Sequence, residues 1–242
     1  MKTLRDNSLA FAKGVVIARS NPRFADCETY QKEFLYRNAF GAHETAKSYW
    51  ILHNNKRFSD CVTLARNLLE RIVNSSCGSK SPTHAVELIS FELSEKIRHA
   101  KLWKPSLNVS TQLDSSVKEH EKILPVFLRL LGKNKAPDWN WKRRFDEAGL
   151  PGFYRSAYSN FSRYTHAGYE TPRPEKHNQK SNAADFIALA APVMTAAKYH
   201  ALICPICQMG KCDFIANSRK LLQTFSRVLR TQTPSHKTNK KA

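Results

Sequence analysis

Residues 59–76 read SDCVTLARNLLERIVNSS, and the spacing of their apolar side chains decides the fold class. At about 100° per residue, Cys61, Leu64, Ala65, Leu68, Leu69 and Ile72 fall on one broad face of a helix. Arg66 and Glu70 stand four apart at its margin, where a guanidinium and a carboxylate meet on a helix surface. The same periodicity recurs along the chain. It predicts helices over 3–20, 26–53, 58–76, 82–102, 114–131, 139–148, 152–166, 183–203 and 213–230. Ser81-Pro82 is a helix start, Asp138 is expected to cap a helix beginning at Trp139, and Gly78, Gly132, Gly149 and Gly210 sit where stops are expected. No stretch alternates as a strand does, and LNVSTQL (107–113) reads as a linker. The expectation is an all-α fold, a single irregular helical bundle of about eight or nine helices. It occupies residues 1–230, with a basic, disordered tail at 231–242.

Hydrophobic residues make up 41% of the 242, enough for a packed core. The opening MKTLRDNSLAFAKGVV lacks the continuous apolar run of an export signal, so the six cysteines are expected to stay reduced in a cytoplasmic protein. The most apolar segment, Phe186 to Ala197, is about half the length of a membrane span and contains Pro192, so no membrane partner is expected. Charge is the strongest compositional signal: 39 Lys and Arg oppose 20 Asp and Glu, a net +19. Residues 186–242 carry nine cations and one acid, Asp213. Such a field attracts polyanions, nucleic acid first and an acidic protein second.

Residues 153–166, FYRSAYSNFSRYTH, carry the most suggestive polar pattern. Uniform helical phase puts Tyr154, Ala157, Tyr158, Phe161 and Thr165 on one side and Arg155, Ser159, Ser162 and His166 in a stripe on the other. If Glu70 orients Arg66 toward Ser162 and His166 across a helix interface, the chain has a compact polar site. The bland alternative is an exposed ion pair and an ordinary wet helix face.

LARNLLERIV, followed some ninety residues later by YRSAYSNFSRYTHAG, resembles the uncharacterised bacterial helical domain-of-unknown-function family 5677. Leu64, Arg66, Glu70, Tyr154, Arg155, Ser162, His166 and Gly168 occupy its two motifs, and the resemblance covers roughly residues 45–205. It implies an all-helical fold with a shared polar site and no established activity. RNAFGAH is similar to the Arg-x(4–6)-His signature of HEPN ribonucleases, with Arg37, Asn38 and His43 in place. That resemblance implies a dimeric helical protein cutting RNA without metal, in a toxin or phage-defence setting. The chemistry is intelligible: a 2′-hydroxyl attacks its phosphate, arginine balances charge and histidine moves a proton. On an unbroken helix, however, Arg37 and His43 are about 240° apart, and they converge only if the chain bends at Gly41.

Two other patterns are candidates. His200, Cys204, Cys207 and Cys212 give H-x3-C-x2-C-x4-C, four ligands of the types zinc takes, although the strong signature is a pair of Cys-x-x-Cys knuckles. Trp139, Trp141, Lys142, Arg143 and Arg144, with Arg163 further on, suit base stacking and phosphate contact; Trp139 and Trp141 serve equally well to anchor a short helix. The leading expectation is a nucleic-acid-binding helical protein, RNA before DNA, with no cofactor required and a structural zinc as an addition. If it is a ribonuclease, His166 carries the proton and Arg155 or Arg66 clamps phosphate, with Arg37/His43 as the alternative centre. The competing expectation is a non-catalytic interaction module in which Arg66, Glu70, Ser162 and His166 form a structural hydrogen-bond network.

Overall fold

A computed structural model describes residues 2–17, 26–103, 111–165 and 182–232, and among them every regular element is helical. The elements are α1 (Lys2–Ile17), α2 (Cys27–Asn54), α3 (Phe58–Gly78), α4 (Pro82–Trp103), α5 (Thr111–Leu130), α6 (Trp141–Glu147), α7 (Pro151–Phe153), α8 (Ser159–Thr165), α9 (Asn182–Ile203), α10 (Pro205–Gln208) and α11 (Phe214–Gln232). A π-helical turn, Tyr154–Tyr158, links α7 to α8.

The apolar helix α9 forms the centre, packed by α1, α2, α3 and α11. Small side chains set how closely these helices approach: Ala39, Ala42 and Ala46 on α2, Ala65 on α3, and Ala188 and Ala191 on α9 are fully buried. Around them Tyr49, Leu68, Leu189 and Tyr199 fill the space without leaving water contact. α9 runs 22 residues, within one residue of the expected 183–203, and taken whole it is long and apolar enough to cross a membrane by length and composition, beyond the half-span counted over Phe186 to Ala197. Pro192 does not end it. Ser8 of α1 donates to the Leu189 carbonyl at 2.8 Å, tying α1 to α9 one residue past the Ala188 carbonyl that Pro192 leaves without its helical donor. The neighbouring helices bury most of its apolar surface.

Local chemistry explains the boundaries. The Asp26 carboxylate accepts from the Thr29 N–H at 2.6 Å and starts α2; Ser81 Oγ accepts from the His84 N–H at 3.1 Å and starts α4. Asn140, not Asp138, caps α6, accepting from the Arg143 N–H at 3.0 Å. Asp138 instead holds the Asn140 N–H at 3.0 Å, so the helix begins two residues later than expected. Gly132, Gly149 and Gly210 have φ of +62°, +73° and +71°, as chain reversals after helices require. Gly78 ends α3 as expected but without a positive φ, and it also serves packing, because a Cβ there would sit 2.7 Å from the Phe34 ring and its absence lets α3 close on α2. The segment expected as one helix over 152–166 is split by the π turn, where Ser159 reaches the Tyr154 carbonyl through its backbone N–H and, at 2.8 Å, its hydroxyl.

Candidate functional site

The polar site is built on the margin of α3. Arg66 Nε meets Glu70 Oε1 at 3.1 Å, and Arg66 Nη2 donates to the Tyr158 hydroxyl at 3.2 Å. The same guanidinium lies over the Tyr158 ring, 5.1 Å from its centroid. The pairing expected within α3 is therefore extended to a residue 92 positions away. Arg66 and Glu70 side chains keep 19% and 21% of their surface, so the joint is lined by protein yet open to water at one edge. Burial pushes the Glu70 carboxyl above its usual range, with Arg66 and Tyr158 pulling it back. Burial, then the nearby Glu70 charge, pushes the Tyr158 hydroxyl up to about 12.

The π turn shapes the other side. It holds Tyr158 in the core beside Trp141 and Phe145, with ring centroids 5.5 and 5.1 Å apart. Tyr154 and Ala157 pack against the core and Phe161 enters it, as their phase predicts. A π turn accommodates one more residue than an α turn, so Arg155 is rotated relative to Ser159 and Ser162 and the uniform stripe is not continuous. Arg155 is exposed, and Ser162 Oγ donates to the Tyr158 carbonyl at 2.8 Å. His166 and Gly168 lie outside the described residues, as does the Arg163 side chain.

The sequence model of a family of unknown function, DUF5677, matches residues 34–184, more than half of the chain. The chain belongs to this family. No curated protein and no solved structure matches it. The DUF5677 region contains α3, the π turn and the Arg66–Glu70–Tyr158 joint, and it ends before Asp185.

Within the DUF5677 region, Arg37 and His43 are held apart. α2 continues unbroken through Gly41, whose lack of a side chain has a steric reason. A Cβ at Gly41 would collide with the Arg71 guanidinium, so the missing side chain makes a notch for that group instead of a bend. Arg37 is exposed and paired with Glu33 at 2.8 Å, Asn38 turns back to the Phe34 carbonyl at 2.9 Å, and His43 is buried with no partner for Nδ1. Burial lowers the His43 pKa. The two HEPN-like side chains therefore share no pocket within one chain.

Trp139 and Arg144 are taken up by packing. Trp139 is fully buried and donates to Glu87 at 3.1 Å. Arg144, 3% exposed, donates to the Trp139 carbonyl at 2.7 Å, Asn74 at 2.7 Å and Glu92 at 3.0 Å, and stacks over Trp141. Trp141 is half-buried beside Tyr158, Lys142 pairs with Asp146 at 2.9 Å, and Arg143 covers Trp139 while donating to the Asp138 carbonyl. This segment anchors α6 in the fold, the alternative its tryptophans left open. A buried indole or guanidinium is not available to a base.

Two polar features escaped the sequence reading. Arg71 lies next to Glu70, and its Nε is buried without a hydrogen-bond partner while burial lowers its pKa. The Tyr49 hydroxyl donates to Asp185 at 2.7 Å, and His53 Nε2 lies 3.4 Å from the same oxygen. A signal for the second existed: Asp185 is the one acid of the apolar helix α9, and a buried carboxylate must find a donor.

Beyond the DUF5677 region, the four residues of the cysteine cluster converge. One donor atom each from His200, Cys204, Cys207 and Cys212 lies within 4.8 Å of the other three, a set able to hold a metal ion. α11 follows directly. Ser218, Phe225 and Leu229 bury its inner face, while Arg219, Lys220, Arg227 and Arg230 are exposed.

Proposed function

We propose that this chain binds nucleic acid through the outer face of α11, with RNA as the first ligand to test. One observation carries the reading. Arg219, Lys220, Arg227 and Arg230 fall within an arc of about 100° around the helix axis, and among the described residues none meets a carboxylate. At 1.5 Å per residue they span about 16 Å, roughly the rise of five phosphates along one duplex strand. The charge supports the same surface: residues 186–242 hold nine cations and one acid, against 24 and 14 in residues 34–184. A membrane-surface helix needs its apolar side free, and Phe225 and Leu229 of α11 are already buried. In this reading Arg66, Glu70 and Tyr158 form a structural joint that fixes the π turn on α3.

The test is a salt titration of RNA binding by the wild type and by a variant with Arg219, Lys220, Arg227 and Arg230 all changed to Gln. The wild-type affinity should fall linearly on a log–log plot, and the variant slope should be shallower by up to about 3 for a single strand. Equal slopes in the two proteins, or capture of anionic vesicles in place of RNA, would reject the α11 surface.

A second reading, metal-independent RNA cleavage at the α3 joint, is favoured by the π turn beside Glu70, since such turns recur at functional sites. In it Arg66 or Arg155 clamps phosphate and His166 carries the proton. Labelled RNA incubated in EDTA with wild type, Glu70→Gln and His166→Ala separates the two readings: cutting abolished by either change supports the enzyme, and intact RNA throughout supports the binder.

A further inference from the structure

We propose that His200, Cys204, Cys207 and Cys212 bind one zinc ion in tetrahedral geometry and thereby staple the turn between α9 and α11. The donor atoms all lie within 4.8 Å of one another. Tetrahedral zinc with sulfur at about 2.3 Å and nitrogen at about 2.0 Å needs donors roughly 3.5–3.8 Å apart. The widest separation among the four atoms thus exceeds the zinc requirement by only about 1 Å, and His200 Nδ1 and Cys207 Sγ stand 3.2 Å apart.

The backbone accounts for the convergence. Cys204 precedes α10 with Pro205 at the first position of that turn, so Cys207 returns to the same side as Cys204. Gly210, at φ +71°, then reverses the chain and brings Cys212 back. The Phe214 ring lies 4.0 Å from the His200 ring, centroid to centroid, and holds the imidazole in place. Backbone N–H groups of Cys207 and Ile206 face the Cys204 sulfur and fix its position at the start of α10. On binding, each coordinating thiol releases its proton to solvent.

The chemistry of the donors selects the metal and its role. Three thiolates and an imidazole suit zinc, and four protein ligands leave no open position, which is the pattern of a structural site. The turn needs such a staple. Ile206 and Met209 are 52% and 62% exposed, so α10 has little apolar burial of its own. The site is independent of nucleic-acid binding, although it sits at the root of α11.

The test uses the full chain, purified under reducing conditions without chelator. Elemental analysis should find about one zinc per chain. Cobalt titrated into the metal-free protein should give thiolate charge-transfer absorption and the ligand-field bands of a tetrahedral site. Cys204→Ser and Cys207→Ser should lose the metal, whereas Cys27→Ser should keep it. The cobalt titration of the wild type decides the matter even if a serine variant fails to fold. A reduced, helical wild-type protein that takes up neither zinc nor cobalt stoichiometrically would overturn the proposal. So would a disulfide among these three cysteines in the freshly isolated protein.

Discussion

Arg144 and Arg227 are the same side chain in two settings. Arg144 is 3% exposed, and three acceptors on Trp139, Asn74 and Glu92 answer its guanidinium. Arg227 is exposed on α11 and meets no carboxylate among the described residues. The contrast extends to their surroundings. Around α3 the cations Arg66 and Arg144 are fastened to carboxylates and aromatic rings; along α11 four cations face water together. A buried charge needs compensation from neighbouring groups, because uncompensated burial costs several kcal/mol. An exposed one costs nothing when unpaired, and its loosely held counterions can be released to a polyanion. The first region therefore holds the fold, and the second is the surface proposed to bind.

Removing a paired cation should do the most damage. Arg144→Ala should destabilise the protein by about 3 kcal/mol, near the lower end for breaking a buried pair, because Glu92 keeps 38% of its side-chain surface and can be solvated. Urea unfolding measures it; a loss below about 0.5 kcal/mol, typical of surface sites, would erase the distinction drawn between the two regions. Tyr158→Phe should cost about 1–2 kcal/mol, since it leaves Arg66 and Glu70 short of one partner inside a half-buried joint. Calorimetry of the two proteins gives the difference, and no change in melting would mean that the joint is held by packing alone.

The Glu70 charge gives the paired region a pH signature that α11 lacks. Its folded pKa is raised, so the folded state holds the proton more tightly than the unfolded chain does. Stability should therefore fall as pH rises from the ordinary value of 4.5 upward through the raised one. Glu70→Gln should lack that component, which parallel unfolding curves between about pH 4 and 7 would detect. The mildest outcome is expected for α11 itself. Changing all four of its exposed cations to Gln should move stability by no more than about 0.5 kcal/mol, as surface substitutions do, even while RNA affinity falls. A large destabilisation in the same unfolding assay would place α11 among the paired structural elements after all.

Much of the molecule can be read along the chain. The apolar face of α3, the Arg66–Glu70 pair and the H-x3-C-x2-C-x4-C spacing are local, and a helix or tight turn fixes their phase. Gly41 shows how local reading errs: a glycine inside a helix signals a bend or a close neighbour equally well, and the neighbour here is Arg71 from another helix. Trp139 and Arg144 show the same limit, because an aromatic beside a cation is written identically whether it stacks on a ligand or on the core. The π turn is illegible for a related reason, since uniform phase assumes an unbroken i to i+4 ladder.

Residue type and spacing over a few turns suffice for the helices, the clustered cysteines and the heavily cationic C-terminal quarter. They do not suffice to say that Arg66 reaches Tyr158, that Tyr49 donates to Asp185 or which arginines are left facing water. Those outcomes depend on which helix faces meet. That choice is made in three dimensions, by fitting side-chain volumes and pairing buried charges across segments far apart in the chain.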